Sequence, residues 1–382
     1  MAALRNWIPS FLKPFLRFIY YKQERVKVFR ERNVRKVQDE RLKHYDAAAR
    51  KLVLFLVAGA EYDTGTDKIS GGIISIVSLC EESAKLKTVH GAEVIMCTFP
   101  GSYLLAKHTQ FKNETDVFRY DQLQPYFEQA GEVLVHVAEY LGKSLRVGME
   151  QGKFNWLRSM SQLHINILNQ NIRLMPAVEE LQKLKSYART VTCTTAHQQY
   201  CTPYYRQLYR VPLHKFSVWI SPEKYHYKAY TDKENLMIVS PDEHPAKEEI
   251  LSKLSSIPGL HLQIIQNLTY EQYKEVISKA KWSLTFGEGL DGYLIEPIFS
   301  GAIGFAIFNE EFFTEDFKDW PTLYKSAEEM GAKIVSDITM LNTKEDFTHR
   351  QTKQFDLCAR HYSQWQYFQN IEAFYKKQYT FK

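Results

Sequence analysis

Thr285-Phe286-Gly287-Glu288-Gly289-Leu290-Asp291-Gly292-Tyr293-Leu294-Ile295-Glu296-Pro297-Ile298-Phe299-Ser300-Gly301-Ala302-Ile303 reads as the end of a strand, a glycine-containing loop, a helix and the start of a second strand. Free backbone N–H groups at the helix start, with the positive end of its dipole, form an anion site suited to a diphosphate. Gly287, Gly289 and Gly292 let the backbone approach a ligand closely. Pro297 has no N–H and clashes with a carbonyl four residues back, so the first turn should begin around Tyr293. Glu288 then belongs to the loop, at the mouth of a cleft, and Glu296 to the first helical turns. A diphosphate between them leaves one carboxylate for a sugar and the other for a ribose, since carboxylates accept strong hydrogen bonds from hydroxyls.

Outward from this unit the same alternation recurs on both sides. Asn235–Ser240, Leu260–Ile265, Trp282–Phe286 and Ile303–Phe308 read as strands, with helices over Lys247–Ser255, Tyr270–Ser278 and Leu294–Ser300 between them. Upstream, Lys51–Ala58, Glu93–Thr98, Val133–Val137, His164–Leu168 and Thr190–Thr195 read as strands, with helices over Ile73–Ala84 and Ala177–Ser186. Between the two series lies Val211–Asp232, rich in Tyr, Lys, His and Pro and read as strandless. Two such series predict an α/β protein with two Rossmann-like, doubly wound parallel-sheet domains, whose ligands sit at the carboxyl ends of strands in the cleft between them. A length of 382 residues accommodates two cores of ordinary size.

Charge is unevenly spread. Residues 1–51 carry 14 Lys/Arg against 5 Asp/Glu, and the remainder 35 against 39, so the net +5 belongs to an N-terminal arm rather than to the whole surface. That distribution does not fit a nucleic-acid binder. Trp7–Tyr21 is aromatic and apolar but interrupted by Pro9, Lys13, Pro14 and Arg17, too short and charged to span a bilayer. It has no signal-peptide cleavage pattern. Lys22–Lys51 is basic and helical, with a thin apolar stripe of Val26, Phe29, Val34, Val37 and Leu42. Aromatics followed by cations suit an arm, residues 1–48, lying on an anionic membrane surface. A helix that packs on the globular body or on a second copy of the chain is the alternative. Five scattered cysteines with no CxxC spacing imply free thiols in a reducing cytoplasm.

Glu288 and Glu296 have the E-x7-E spacing of retaining glycosyltransferases of the GT-B fold, and their flanks resemble the signature E-G-[FL]-G-L-P-x-L-E-A-x-A-x-G of the family 4-like group. Gly289, Leu290, Ile295 and Gly301 fall at its positions, while Pro297 replaces its usual small residue. The resemblance implies an N-terminal acceptor domain (49–215), a C-terminal nucleotide-sugar domain (216–350) and closing helices (351–382) that return to the first domain. It implies that Glu288 contacts hydroxyls of the donor sugar and Glu296 the ribose, with Gly287, Gly289, Leu290, Asp291, Gly292 and Tyr293 around the donor. Gly71 and Gly72 resemble the glycine loop that faces donor phosphates or acceptor, although a plain Gly-Gly turn reads equally well. His197, at the end of a strand, stands where related enzymes place a His against the donor sugar, with a helix cap as the alternative. Asn169-Gln170-Asn171, ending another strand, is positioned to line the acceptor side or simply to satisfy a turn.

One departure stands out. The family supplies an Arg and a Lys five residues apart after the first strand of the second domain; here Lys247 takes the Lys position and Asp242 the other. His244, Lys224, Lys228 or the helix dipole would have to compensate. No metal-ligand cluster is apparent, so neither metal nor cofactor is expected, the nucleotide sugar being a substrate. The implied activity is metal-independent, retaining transfer of a sugar to a lipid-linked glycan in bacterial surface polysaccharide (O-antigen or capsule) assembly. It would take place on the inner face of the cytoplasmic membrane, alongside other assembly enzymes. An epimerase or phosphorylase of the same fold, or an inactive subunit anchoring an assembly complex, are the competing readings. An NAD-dependent enzyme is disfavoured because no G-x-G-x-x-G follows either first strand.

Overall fold

Apolar runs without polar alternation belong to strands covered on both faces, and β1 (Lys51–Val57) is one, with every residue after Lys51 buried. The computed structural model describes residues 22–58, 71–101, 116–266 and 268–382. β2 (Glu93–Thr98), β3 (Val117–Arg119), β4 (Glu132–Ala138), β5 (Gln162–Asn169), β6 (Thr190–Thr195) and β7 (Leu213–Lys215) join β1 in one sheet, ordered β3-β2-β1-β4-β5-β6-β7 and parallel throughout. The chain winds outward from β1 through β2 and β3, then returns to lay β4 on the other side of β1. That reversal opens a crevice at the carboxyl ends of β1 and β4.

The second sheet holds β8 (Glu234–Val239), β9 (His261–Ile264), β10 (Ala280–Leu284), β11 (Ile303–Ile307) and β12 (Leu323–Tyr324) in the order β12-β11-β10-β8-β9, again parallel. Its reversal lies between β8 and β10, where Leu284 pairs with Val239. Trp282 is fully buried and its indole donates to Asn235 Oδ1 at 3.0 Å, which ties β10 to the start of β8. The chain is therefore α/β with two parallel sheets, as the alternation predicts.

Val211–Asp232 is not strandless: β7 lies within it. Three residues carry no readable alternation. Their strand is set by pairing with β6 and by Leu213, which exchanges backbone hydrogen bonds with Phe381 at 2.8 and 2.9 Å. The helix after β10 spans Gly292–Phe299, one residue ahead of the start inferred from Pro297.

The helix Gln364–Tyr375 packs on β7 and on the helix Gly71–Lys85 that follows β1. Phe374 lies against Phe216, and the Tyr375 hydroxyl reaches His136 Nε2 at 3.3 Å. One apolar cluster runs from Phe55 of β1 through Ile371 of this helix to Ile298 and Phe299 of the second domain. Burial of each such side chain contributes about 1.5–3 kcal/mol.

Lys22–Leu42 is a helix whose C-terminal half packs on the body. Leu42 enters the core of the first domain, Gln38 donates to the Val117 carbonyl, Arg41 pairs with Asp116, and Gln122 donates to Asp39 at 2.6 Å. Val26, Phe29 and Val37 remain 57, 56 and 55% exposed. The aromatic segment Trp7–Tyr21 lies outside the described residues. Among those described, no helix is long and apolar enough to cross a membrane.

Candidate functional site

Loops at the carboxyl ends of the two sheets meet, the turn after β5 touching the loop after β10. On the second sheet, β10 ends at Leu284 and the loop Thr285–Asp291 leads to the helix. Asp291 caps that helix, its Oδ1 accepting from the Leu294 N–H at 3.2 Å and its Oδ2 from the Thr285 hydroxyl at 3.4 Å. Gly289 has φ +93°, and a Cβ there would stand 2.3 Å from the Phe313 ring, so the position requires glycine. Leu290 is buried and anchors the loop.

Glu288 is half-buried on this loop. Its Oε1 accepts from the side-chain amide of Asn171, which belongs to the first domain. Burial raises the Glu288 carboxyl above its ordinary range, and Arg173 opposes that rise. Glu296 points elsewhere. It is 4% exposed, and its Oε2 has no hydrogen-bond partner among the described residues. Burial pushes its carboxyl up to about 8, against the pull of Tyr225. Its Oε1 lies 2.8 Å from where a Cβ of Gly292 would be, so the helix start is open to it only because residue 292 is glycine. Tyr225 and Tyr270, whose hydroxyls are 3.1 Å apart, and Tyr273 surround it, and Tyr293 packs edge-on against Tyr273. The two motif carboxylates thus occupy different environments, one facing the first domain and one buried among tyrosines.

The loop after β8 brings Asp242 beside this unit. A Cβ on Gly287 would lie 2.8 Å from Asp242 Oδ2 and 3.0 Å from Asp291 Oδ2, so both carboxylates converge on that glycine. Burial and then the Asp242 charge raise Asp291 to about 7. Lys247 is buried, and its ammonium donates to the carbonyls of Ser240 at 2.9 Å and Asp242 at 2.7 Å. Two of its three hydrogens therefore hold the loop, which leaves one for a ligand. His244 stacks on Phe286 and its Nδ1 accepts from the Ala246 N–H, rather than pairing with Asp242.

The first domain contributes the turn after β5. Gln170 donates its side-chain amide to the Gly72 carbonyl at 3.2 Å, and its own carbonyl lies 3.0 Å from His197 Nε2. Gly71 and Gly72 begin the helix Gly71–Lys85; Ser70 and the loop before it lie outside the described residues. His197 is also edge-on to Phe312 of the second domain at 5.7 Å, and burial lowers its pKa, favouring the neutral ring. The Asn169–Asn171 turn thus gathers Gly72, His197 and Glu288.

Pattern reading overlooked two features here. Glu139, directly after β4 and 2% exposed, accepts the backbone N–H groups of Gln170 and Asn171 at 3.2 Å each. Its signal was available: a carboxylate at the end of a buried strand beside the reversal point. The other is a clasp across the cleft, in which Arg173 pairs with Glu311 while Gln199 and Tyr200 donate to the Glu311 carbonyl. It has no local sequence signature.

Among the described residues no group of three or more His, Cys, Asp or Glu side chains is arranged to hold a metal ion. No protein-family model matches the chain, and no curated protein matches it.

Proposed function

We propose that the chain is a retaining glycosyltransferase of the GT-B type. On this reading it moves a sugar from a nucleotide-sugar donor to a hydroxyl of a lipid-linked glycan during bacterial surface polysaccharide assembly. The observation that carries the reading is Glu296. A buried carboxyl with one oxygen unpartnered, one turn into a helix beside a sheet reversal, is costly unless a ligand pairs with it, donating to it when ionised or accepting from it when protonated. A ribose diol has the chemistry to do so. Glu288, facing the first domain across the cleft, is then left for the hydroxyls of the transferred sugar. The anomeric C–O bond breaks with its electron pair going to the nucleoside diphosphate, which the helix N-terminus and the remaining Lys247 hydrogen stabilise. The acceptor hydroxyl attacks the same face and gives its proton to the departing phosphate.

The arm supports placement on a membrane surface on the cytoplasmic side, near other assembly enzymes, through its basic residues and the exposed Val26, Phe29 and Val37. A second reading, an inactive subunit of the same fold that anchors such a complex, is favoured by Asp242 and Asp291, which converge where a diphosphate would need positive charge. Thermal-shift screening against UDP-, GDP- and dTDP-sugars, followed by assay of sugar release, separates the two. Binding with turnover supports the enzyme. Absence of any nucleotide-sugar binding overturns both the Glu296 argument and the transferase.

A further inference from the structure

Three contacts lead out of the short turn after β5 toward three different candidate site residues: Asn171 to Glu288, the Gln170 side chain to Gly72, and the Gln170 carbonyl to His197. A turn that serves so many partners must itself be fixed: the Ala196 N–H holds the Asn169 carbonyl at one end, the Arg173 N–H meets Asn171 Oδ1 at the other, and one side chain holds the backbone between them. The two carboxylate oxygens of Glu139 each accept one of the consecutive N–H groups of Gln170 and Asn171. Glu139 leaves β4 and the turn leaves β5, strands paired along their length up to Ala138 and Leu168, so the clamp lies across adjacent strand ends. Glu139 itself is buried too deeply to touch a ligand in the cleft.

We propose that Glu139 is a positioning residue for the transfer reaction: by clamping the Asn169–Asn171 turn it sets the place at which Asn171 holds Glu288 against the donor sugar. The inference rests on the transferase reading for its kinetic consequence and on geometry alone for the clamp. Only a carboxylate offers two equivalent acceptors to two adjacent backbone donors. A glutamine there must turn its own N–H groups toward one of them, leaving a buried donor facing a donor. Burial lifts the Glu139 carboxyl to about 7, with the Glu288 charge adding to the rise and the backbone donors opposing it. The titratable groups its charge meets are Glu288 across the cleft and Tyr140 next in the chain. The clamp consequently tightens as pH rises through neutrality, because the ionised form is the better acceptor.

The test uses the full chain with Glu139→Gln and Asn171→Ala, the second variant removing the outward contact, and with it the cap on the Arg173 N–H, while leaving both backbone donors of the clamp. Three quantities are measured: amide exchange over residues 169–172, affinity for the nucleoside diphosphate that the wild type binds, and kcat and KM for nucleotide-sugar turnover across pH 5.5 to 8.5. Glu139→Gln should raise exchange in that segment, lower kcat on the order of 100-fold as a displaced contact does, leave nucleotide affinity within about twofold and abolish the limb near pH 7. Asn171→Ala should reproduce the kcat loss with exchange unchanged at residue 170. Full kcat with an unaltered pH limb in Glu139→Gln overturns the proposal, as does unchanged exchange at 169–172. If the wild type turns over no nucleotide sugar, the transferase reading fails by itself. The exchange data then decide the clamp: raised exchange in Glu139→Gln upholds it, and wild-type exchange overturns it. Should Glu139→Gln fail to fold, Glu139→Asp, which shortens the reach of the carboxylate toward the two backbone donors, decides: raised exchange at 169–172 with a kcat loss at unchanged KM upholds the proposal, and wild-type exchange or wild-type kcat overturns it.

Discussion

The ammonium of Lys247 lies 2.7 Å from the carbonyl oxygen of Asp242, the residue five positions before it, and so holds in place a loop whose carboxylate faces the same region as its own charge. Where the resembling family sets two cations around a diphosphate, this chain has one partly engaged cation and one anion. Substituting Asp242 by Asn should therefore strengthen nucleoside-diphosphate binding on the order of tenfold, about 1.4 kcal/mol, through relief of like-charge repulsion. Calorimetry with UDP, GDP and dTDP measures it. Equal affinities for the two proteins would mean that no phosphate comes near Asp242.

Glu288→Gln keeps the side chain's size and its place beside Asn171 but removes the charge that a sugar hydroxyl would meet. On the proposed reading sugar transfer should fall by at least roughly 100-fold, in the range seen when a transition-state electrostatic contact is lost, while nucleotide binding, which that reading assigns to Glu296, is retained. Turnover at the wild-type rate would remove Glu288 from the site.

Gly289→Ala places a Cβ 2.3 Å from the Phe313 ring in a backbone conformation that side chains disfavour. The expected loss of stability is about 1–3 kcal/mol, read from the midpoint of chemical unfolding. A midpoint matching that of the wild type would show that the loop relaxes away from Phe313 at little cost.

The pH dependence of stability follows from three buried carboxyls, Glu139 and Asp291 raised to about 7 and Glu296 to about 8, each by burial first. A raised carboxyl pKa means the folded state holds its proton more tightly. The stability so gained is complete below the unfolded value and is lost as pH rises through the folded one. Buried histidines work the other way: burial lowers His136 to about 3, and its contribution is lost as pH falls below its ordinary value. Above pH 6.5 the carboxyls are opposed by buried Lys233, which burial lowers to about 7 and which favours the fold increasingly as pH rises past that value. Three carboxyls against this lysine leave the melting temperature falling from about pH 6.5 to about 7.5. Glu296→Gln should flatten that fall. A slope identical in the variant and the wild type would show Glu296 to be ionised without cost.

Removing residues 1–34 leaves Gln38, Arg41 and Leu42 to dock on the body, whereas a cut at 48 takes the Leu42 anchor with it. The shorter truncation should fold with an unchanged melting temperature yet lose co-sedimentation with anionic liposomes. Retained co-sedimentation would place membrane affinity, if any, on the body.

The two sheets were legible because parallel strands buried on both faces write themselves as unbroken apolar runs, as in Leu52–Val57. The edge strands β3, β7 and β12 were not. Two or three residues hold no periodicity, and Val117–Arg119 is a strand only because β2 lies beside it. The Glu288–Glu296 loop and its helix were readable from glycines and one proline, since those residues act through local backbone geometry. What surrounds them was not. That Glu296 would be enclosed by Tyr225, Tyr270 and Tyr273, that His197 would answer to Gln170, and that Lys247 would bond its own loop are products of long-range packing, which no spacing encodes.

The arm helix grips β3, one rim of the seven-stranded sheet, while the chain passes to the second domain from β7, the opposite rim. A body held by that helix would be held at the rim farthest from the passage into the second domain, which would then stand across the first sheet from the point of attachment.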